Sequence, residues 1–157
     1  GGPRARPGPR PGALPPHVVL LALWFLRQEA AATGVGRRQA LRDTLVQRYR
    51  ALIERHFHEH RPLAFYAEAL DVTADHLSRV CRAVASSSAL ALLHERVVLE
   101  ARRVLVHTPM SVSEVALHLG FDDAAYFSRF FKAEVGCAPS EFRLRIAAGT
   151  QAVPARP

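Results

Sequence analysis

Cysteine is scarce in this chain, methionine does not begin it, and alternating β-branched runs are nearly absent. Only Cys81 and Cys137 occur among 157 residues. They are too few and too far apart for a metal motif. Both lie in apolar helical surroundings, where a buried free thiol is expected and a disulfide is not, given a reducing cytosol. Without alternating runs there is no pattern for half-buried strands. Leu, Ala, Arg, Glu and His recur instead at helical spacing, so the chain reads as all-α. Gly1 and Gly2 open the sequence in place of Met, as in a fragment or a processed form. No nucleophile motif, phosphate loop or carboxylate pair stands in a recognisable setting. The expectation is therefore a protein that is not an enzyme and holds no cofactor.

Negative charge is scarce in one part of the chain only. The net charge of +7 points toward nucleic acid. Residues 1–42, however, carry Arg4, Arg6, Arg10, Arg27, Arg37, Arg38 and Arg42 against Glu29 alone. Residues 43–147 hold 13 basic and 13 acidic residues. The basic balance belongs to the N-terminal segment, and a DNA argument must rest on where charges sit in the body. The length permits one ordinary domain, or one small domain with attachments, and the 49% hydrophobic content is enough for a core.

Residues 1–16 are dominated by Gly, Pro and Arg and cannot bury enough apolar surface to order themselves. The tail at 148–157 is expected to be disordered too. A helix over 17–32 follows Pro15-Pro16, with Val18–Leu26 apolar nearly all round. Arg27 stops that run at about half the ~20 residues a membrane span needs. A signal peptide is the second reading: basic residues precede the run and Ala30-Ala31-Ala32 follow it. Prolines in the charged region speak against it. The third reading, a helix that buries its faces against a partner or another domain, is preferred. Residues 17–42 are thus taken as a linker or dimerisation helix, interrupted by a break at Thr33-Gly34-Val35-Gly36.

Asp43 is expected to cap the next helix, with Leu45, Tyr49, Leu52, Ile53 and Phe57 on its buried face. Residues 62–70 form a short helix with Pro62 in its first turn. Thr73 caps a helix over 74–84, and Ser86-Ser87-Ser88 caps a longer one over about 89–107. Leu93, Val97, Ala101, Val104 and Leu105 mark its buried face. Ser111 and Glu114 have capping-box spacing. Gly120 ends that short helix in a left-handed backbone. Asp122 or Asp123 caps the next helix, Gly136 stops it, and Pro139 begins the last one.

The body repeats itself. Ala67 and Asp71-Val72 in the first half match Ala116 and Gly120-Phe121, 49 positions later. The run Leu77-Ser78-Arg79-Val80-Cys81-Arg82 matches Phe127-Ser128-Arg129-Phe130-Phe131-Lys132, 50 positions later. Each unit, about 62–85 and 111–134, is a short helix, a tight turn and a second helix. That is helix-turn-helix geometry, whose second helix lies in the DNA major groove. The polar face of the first reading helix offers Asp75, His76, Ser78, Arg79 and Arg82. The second offers Ala124, Ala125, Ser128, Arg129 and Lys132. Arg pairs bidentately with guanine, which suits Arg79 and Arg129 to base reading. Arg82 and Lys132, nearer the helix ends, suit phosphate. A central helix of about 19 residues is roughly 28 Å long, close to the ~34 Å between successive major-groove faces.

Val115-Ala116 through Leu119-Gly120-Phe121, then Tyr126–Lys132, then Gly136, Pro139, Phe142 and Arg143 resemble the C-terminal signature of AraC/XylS-family transcription regulators. The resemblance covers about residues 43–147. It implies a seven-helix domain with two helix-turn-helix units joined by a long central helix, binding promoter DNA through both. It places base reading at Asp75, Ser78 and Arg79, and at Ala124, Ala125, Ser128 and Arg129, with His76, Arg82 and Lys132 at the backbone or flanks. It also implies an activator in the cytoplasm, on the nucleoid, with RNA polymerase as a partner and a homodimer formed through the N-terminal segment or a sensor domain. Asp71 and Ser86 depart from the family by standing where glycine is common. Ala124 and Ala125 offer only methyl groups. Residues 17–60 are similar to the linker that follows a cupin-type effector domain in regulators of aromatic-acid catabolism.

Two further features of the sequence carry other readings. His56 and His60 share a helix face beside Glu54 and Glu59, but a third metal ligand is missing there, so solvated histidines are expected. The alternative function is a helical interaction module in which residues 17–58 dimerise and the repeats are only structural. Failure to bind any DNA at low salt would favour it.

Overall fold

A computed structural model describes residues 15–149. The disorder expected at 1–16 and 148–157 falls almost entirely outside them. Among the described residues there are seven α-helices, one 3-10 turn and no strand. The helices are α1 (Pro16–His56), α2 (Leu63–Ala69), α3 (Ala74–Ala85), α4 (Ala89–His107), α5 (Val112–His118), α6 (Ala124–Val135) and α7 (Pro139–Ala147). The 3-10 turn, Phe57–Glu59, follows α1.

The expected break at Thr33–Gly36 does not occur. α1 runs through both glycines, and Asp43 lies inside it rather than at a cap. Thr33 Oγ1 donates to Glu29 O at 2.8 Å and to Ala30 O at 3.0 Å, bonding back into the helix instead of leaving it. Each glycine costs about 1 kcal/mol in a helix, a penalty the Arg-, Gln- and Leu-containing stretch after it offsets. The linker helix and the first helix of the domain are one element. Contacts divide the chain into residues 1–41 and 42–157.

In the first unit Val18–Leu26 stays exposed along its length, with Leu20 at 66% and Trp24 at 54%. One 18-residue window of this helix has a mean hydropathy of 1.4, long and apolar enough to cross a membrane by those measures.

The second unit is built around α4, which packs on α3, α5, α6, α7 and the 3-10 turn. Its expected buried face is buried at all five positions, and Leu92, Val98 and Glu100 join it. From α1, Tyr49 and Ile53 are buried, together with Val46, while Leu45, Leu52 and Phe57 are partly so. Tyr49 and Tyr66 meet edge to face at 5.8 Å, and Tyr49 Oη donates to Ala89 O at 2.7 Å. That bond ties α1 to the start of α4. In the C-terminal half, Phe121, Phe127, Phe131 and Phe142 form a chain of rings with centroids 5.2, 5.9 and 5.6 Å apart. Cys81 and Cys137 are free and buried, and burial pushes the Cys81 thiol up.

Glu100 is buried, a position an acid tolerates only when paired. A hydrogen bond from Arg103 holds its carboxyl below the usual range, with Arg96 adding to the effect and burial opposing it. Arg143 Nε donates to Leu105 O at 2.9 Å, and its Nη2 donates to Met110 O. One carbonyl in the last turn of α4, which the helix itself leaves unpaired, and one in the connection to α5 are thus satisfied from α7.

Candidate nucleic-acid interface

The two units repeat in their hydrogen bonds as well as in their letters. In the first turn, Val72 N donates to Ala67 O and Asp71 N to Glu68 O, both at 3.0 Å. In the second, Phe121 N donates to Ala116 O at 2.9 Å and Gly120 N to Leu117 O at 3.0 Å. Each pair is the double bond of a helix end closed by a left-handed residue. Asp71 supplies that residue at φ +57°, and Gly120 at φ +76°. A Cβ on Gly120 would also lie 2.5 Å from His58 O and 2.7 Å from Glu59 C. The second turn therefore presses on the backbone of the 3-10 turn, which the sequence did not reveal.

The following helices start and stop in step. Thr73 Oγ1 accepts from His76 N at 3.1 Å to open α3. Asp123 accepts from Ala125 N at 2.9 Å and Tyr126 N at 3.3 Å to open α6. Ser86 and Gly136 close them in left-handed backbone, their N–H groups donating to Arg82 O at 3.1 Å and Lys132 O at 2.8 Å. The capping box of Ser111 and Glu114 is complete. Its bond from the Ser111 backbone lowers the Glu114 carboxyl pKa.

These frames set the faces of α3 and α6. Leu77, Val80 and Cys81 point inward on α3, as Phe127 and Phe131 do on α6. Asp75, His76, Arg79 and Arg82 are left exposed on the first, and Ala125, Arg129 and Lys132 on the second. Ser78 and Ser128 are half-buried at matching places. Ala124 differs from the other candidates: like its counterpart Ala74, it packs partly against the core. Among the described residues, no ion pair holds Arg79, Arg82 or Lys132. Arg129 has one neighbour of note, since its guanidinium lies 6.0 Å from the Tyr126 ring centre. Tyr126 is 46% exposed and stands three residues before Arg129, so one helix face carries both. The sequence shows an aromatic at that spacing, but only the fold places it beside the guanidinium.

The histidines found partners in the fold. His56 Nδ1 and Glu59 Oε1 are 2.8 Å apart. His60 stacks on Phe121 with ring centres 4.0 Å apart and meets Tyr126 at 5.6 Å. Burial, and then the nearby His94, lower the His60 pKa. The expectation of solvated side chains does not hold for these two. Among the described residues, no group of three or more His, Cys, Asp or Glu is placed to hold a metal.

A family model described as a helix-turn-helix domain matches residues 66–145, just over half the chain. The chain belongs to the AraC-type helix-turn-helix family. The AraC-type domain is a DNA-binding fold of transcription regulators. The arabinose operon regulatory protein of Salmonella typhimurium is 34% identical over 84 residues, 54% of this chain and 30% of that protein. The transcriptional activator RhaR of an Enterobacter species is 49% identical over 45 residues, 29% of this chain and 16% of that protein. The chain thus spans less than a third of these relatives' length. Among solved structures, the DNA-binding domain of the global transcriptional factor AdpA, in complex with a target DNA, is similar at a TM-score of 0.58 and 27% identity. That likeness covers 69% of this chain and 97% of that domain.

Proposed function

We infer that this chain binds double-stranded promoter DNA sequence-specifically, inserting α3 and α6 into successive major grooves. The observation that carries this is the equivalence of the two helices. Both have 12 residues, a side-chain oxygen capping the start, a left-handed residue closing the end and an exposed Arg at the same place, Arg79 and Arg129. Asp75, Ser78, Arg79, Ala125, Ser128 and Arg129 are assigned to base edges, and the exposed part of Ala124 to a thymine methyl. His76, Arg82 and Lys132 are assigned to the backbone and flanks. The 19-residue α4 between the units suits a separation of one DNA turn. Family membership supports an activator that works with RNA polymerase on the nucleoid. The exposed apolar run of α1 supports a homodimer.

The test is a binding profile of four variants across a library of sites. Arg79→Ala and Arg129→Ala are each expected to cost ~1–3 kcal/mol on the best site and to relax preference at one or two base pairs. The affected positions should lie ~10 bp apart. Arg82→Ala and Lys132→Ala should weaken all sequences alike and each lower the salt slope by about one. Even losses over every sequence for the first two variants would mean that the helices grip only the backbone.

A further inference from the structure

A cavity of about 330 Å³ opens where the 3-10 turn, the start of α2, α4 and α6 come together. Its volume is that of a site for one small molecule. Phe57, Tyr126 and Phe130 supply aromatic walls, and Leu93 lies in the lining on α4. Leu90 and Tyr126, which also line it, are 43% and 46% exposed, so apolar surface is left wet there. Three polar side chains converge on it: His60, Arg61 and His94. Their charges are unequal. Burial disfavours the protonated form of His60. His94 is held through Nδ1 by Glu134 Oε1 at 3.0 Å, which orients its ring. Arg61 brings the one permanent charge in the lining. Glu59 engages only its Nε, at 2.8 Å, on a side chain that is half exposed.

We propose that this cavity is a binding site for a small aromatic anion, with the ring among Phe57, Tyr126 and Phe130 and the negative group at Arg61. Aromatic walls favour a ring in edge or offset contact. A planar guanidinium with its terminal nitrogens available favours a carboxylate-like group. Such a ligand would touch α6 and the segment that leads into α2, and Leu63 at the start of α2 also lines the cavity.

Benzoate is the probe, with uncharged benzamide as its isostere, titrated into the whole chain without DNA. Binding is read from the ring resonances of His60, His94 and Tyr126. Benzoate is expected to shift all three saturably, and benzamide to bind about tenfold more weakly. Arg61→Gln should weaken benzoate to the benzamide level, and Leu90→Trp should block both. Both substitutions are at exposed positions, and circular dichroism checks that the variants remain folded. Absence of a saturable shift overturns the site. Undiminished benzoate binding by either folded variant, or equal binding of benzamide, overturns it as well. Because no DNA is present, the outcome is independent of the promoter-binding reading.

Discussion

Gly120 and Gly136 both have left-handed backbone, yet their surroundings differ. Around Gly136 nothing lies within 4 Å of an added Cβ, whereas Gly120 abuts the main chain of His58 and Glu59. Gly136→Ala should therefore cost only the backbone term, about 1 kcal/mol after the entropy gained in the unfolded chain is subtracted. Gly120→Ala must also displace backbone, raising the loss to about 2–4 kcal/mol. Urea unfolding of the two variants decides this, and equal losses would remove the close approach from the account. His60 gives a second residue-scale expectation. Its folded pKa lies below the ordinary 6.5, so the unfolded chain takes up the proton first as pH falls. The stability it contributes is complete above about pH 6.5 and declines below that value. His60→Asn tolerates the left-handed backbone found there, φ +49°. It should flatten the stability profile below about pH 6.5. An unchanged slope would assign the loss to another group. Glu59, Glu100 and Glu114 have lowered pKa values, so their contribution is lost only below about pH 4.5.

At the scale of elements, α3 and α6 are equivalent in length but not in their caps. Thr73 satisfies one N–H of α3, while Asp123 satisfies two at the start of α6 and adds a negative charge there. Thr73→Ala should cost about 1 kcal/mol, and Asp123→Ala more, up to about 2 kcal/mol. Thermal unfolding at neutral pH tests the order, and equal losses for the two variants would remove the second bond and the charge from the account. These caps were legible in the sequence because a cap is local chemistry: an oxygen-bearing side chain, a fixed offset and an apolar run. The continuity of α1 through Thr33–Gly36 was not legible. Thr33, Gly34 and Gly36 look like punctuation, but punctuation competes with the helix formers on either side, and the outcome depends on their sum. Arg143 was legible as a signature residue while its work was not. Its two carbonyl partners lie 38 and 33 positions away in the chain.

At the scale of the molecule, the N-terminal half of α1 carries a run of apolar side chains that the fold leaves uncovered. Leu21 and Trp24 are 57% and 54% exposed within an apolar run. Contiguous apolar surface of this kind is characteristic of an interaction site. Sedimentation of the chain is expected to show a concentration-dependent dimer, and a Leu21→Glu, Trp24→Glu variant to sediment as a monomer. Identical monomeric profiles would end the self-association reading. In that event, sedimentation with phosphatidylcholine vesicles would test the 18-residue apolar window against a lipid surface.

The sequence by itself determined the all-helical class, the twofold repeat, the start and stop of α3 and α6, and the matching places of Arg79 and Arg129. Each of these is written in spacing over a few residues, because caps, turns and a helical face are set by neighbours three or four positions apart. The tertiary structure decided the rest. It brought the 3-10 turn against Gly120, laid His60 on Phe121, turned Ala124 partly into the core and enclosed the cavity beside α6. Those contacts join residues up to about 70 positions apart. Nothing local encodes them, since they follow from how helices pack once their apolar faces have met.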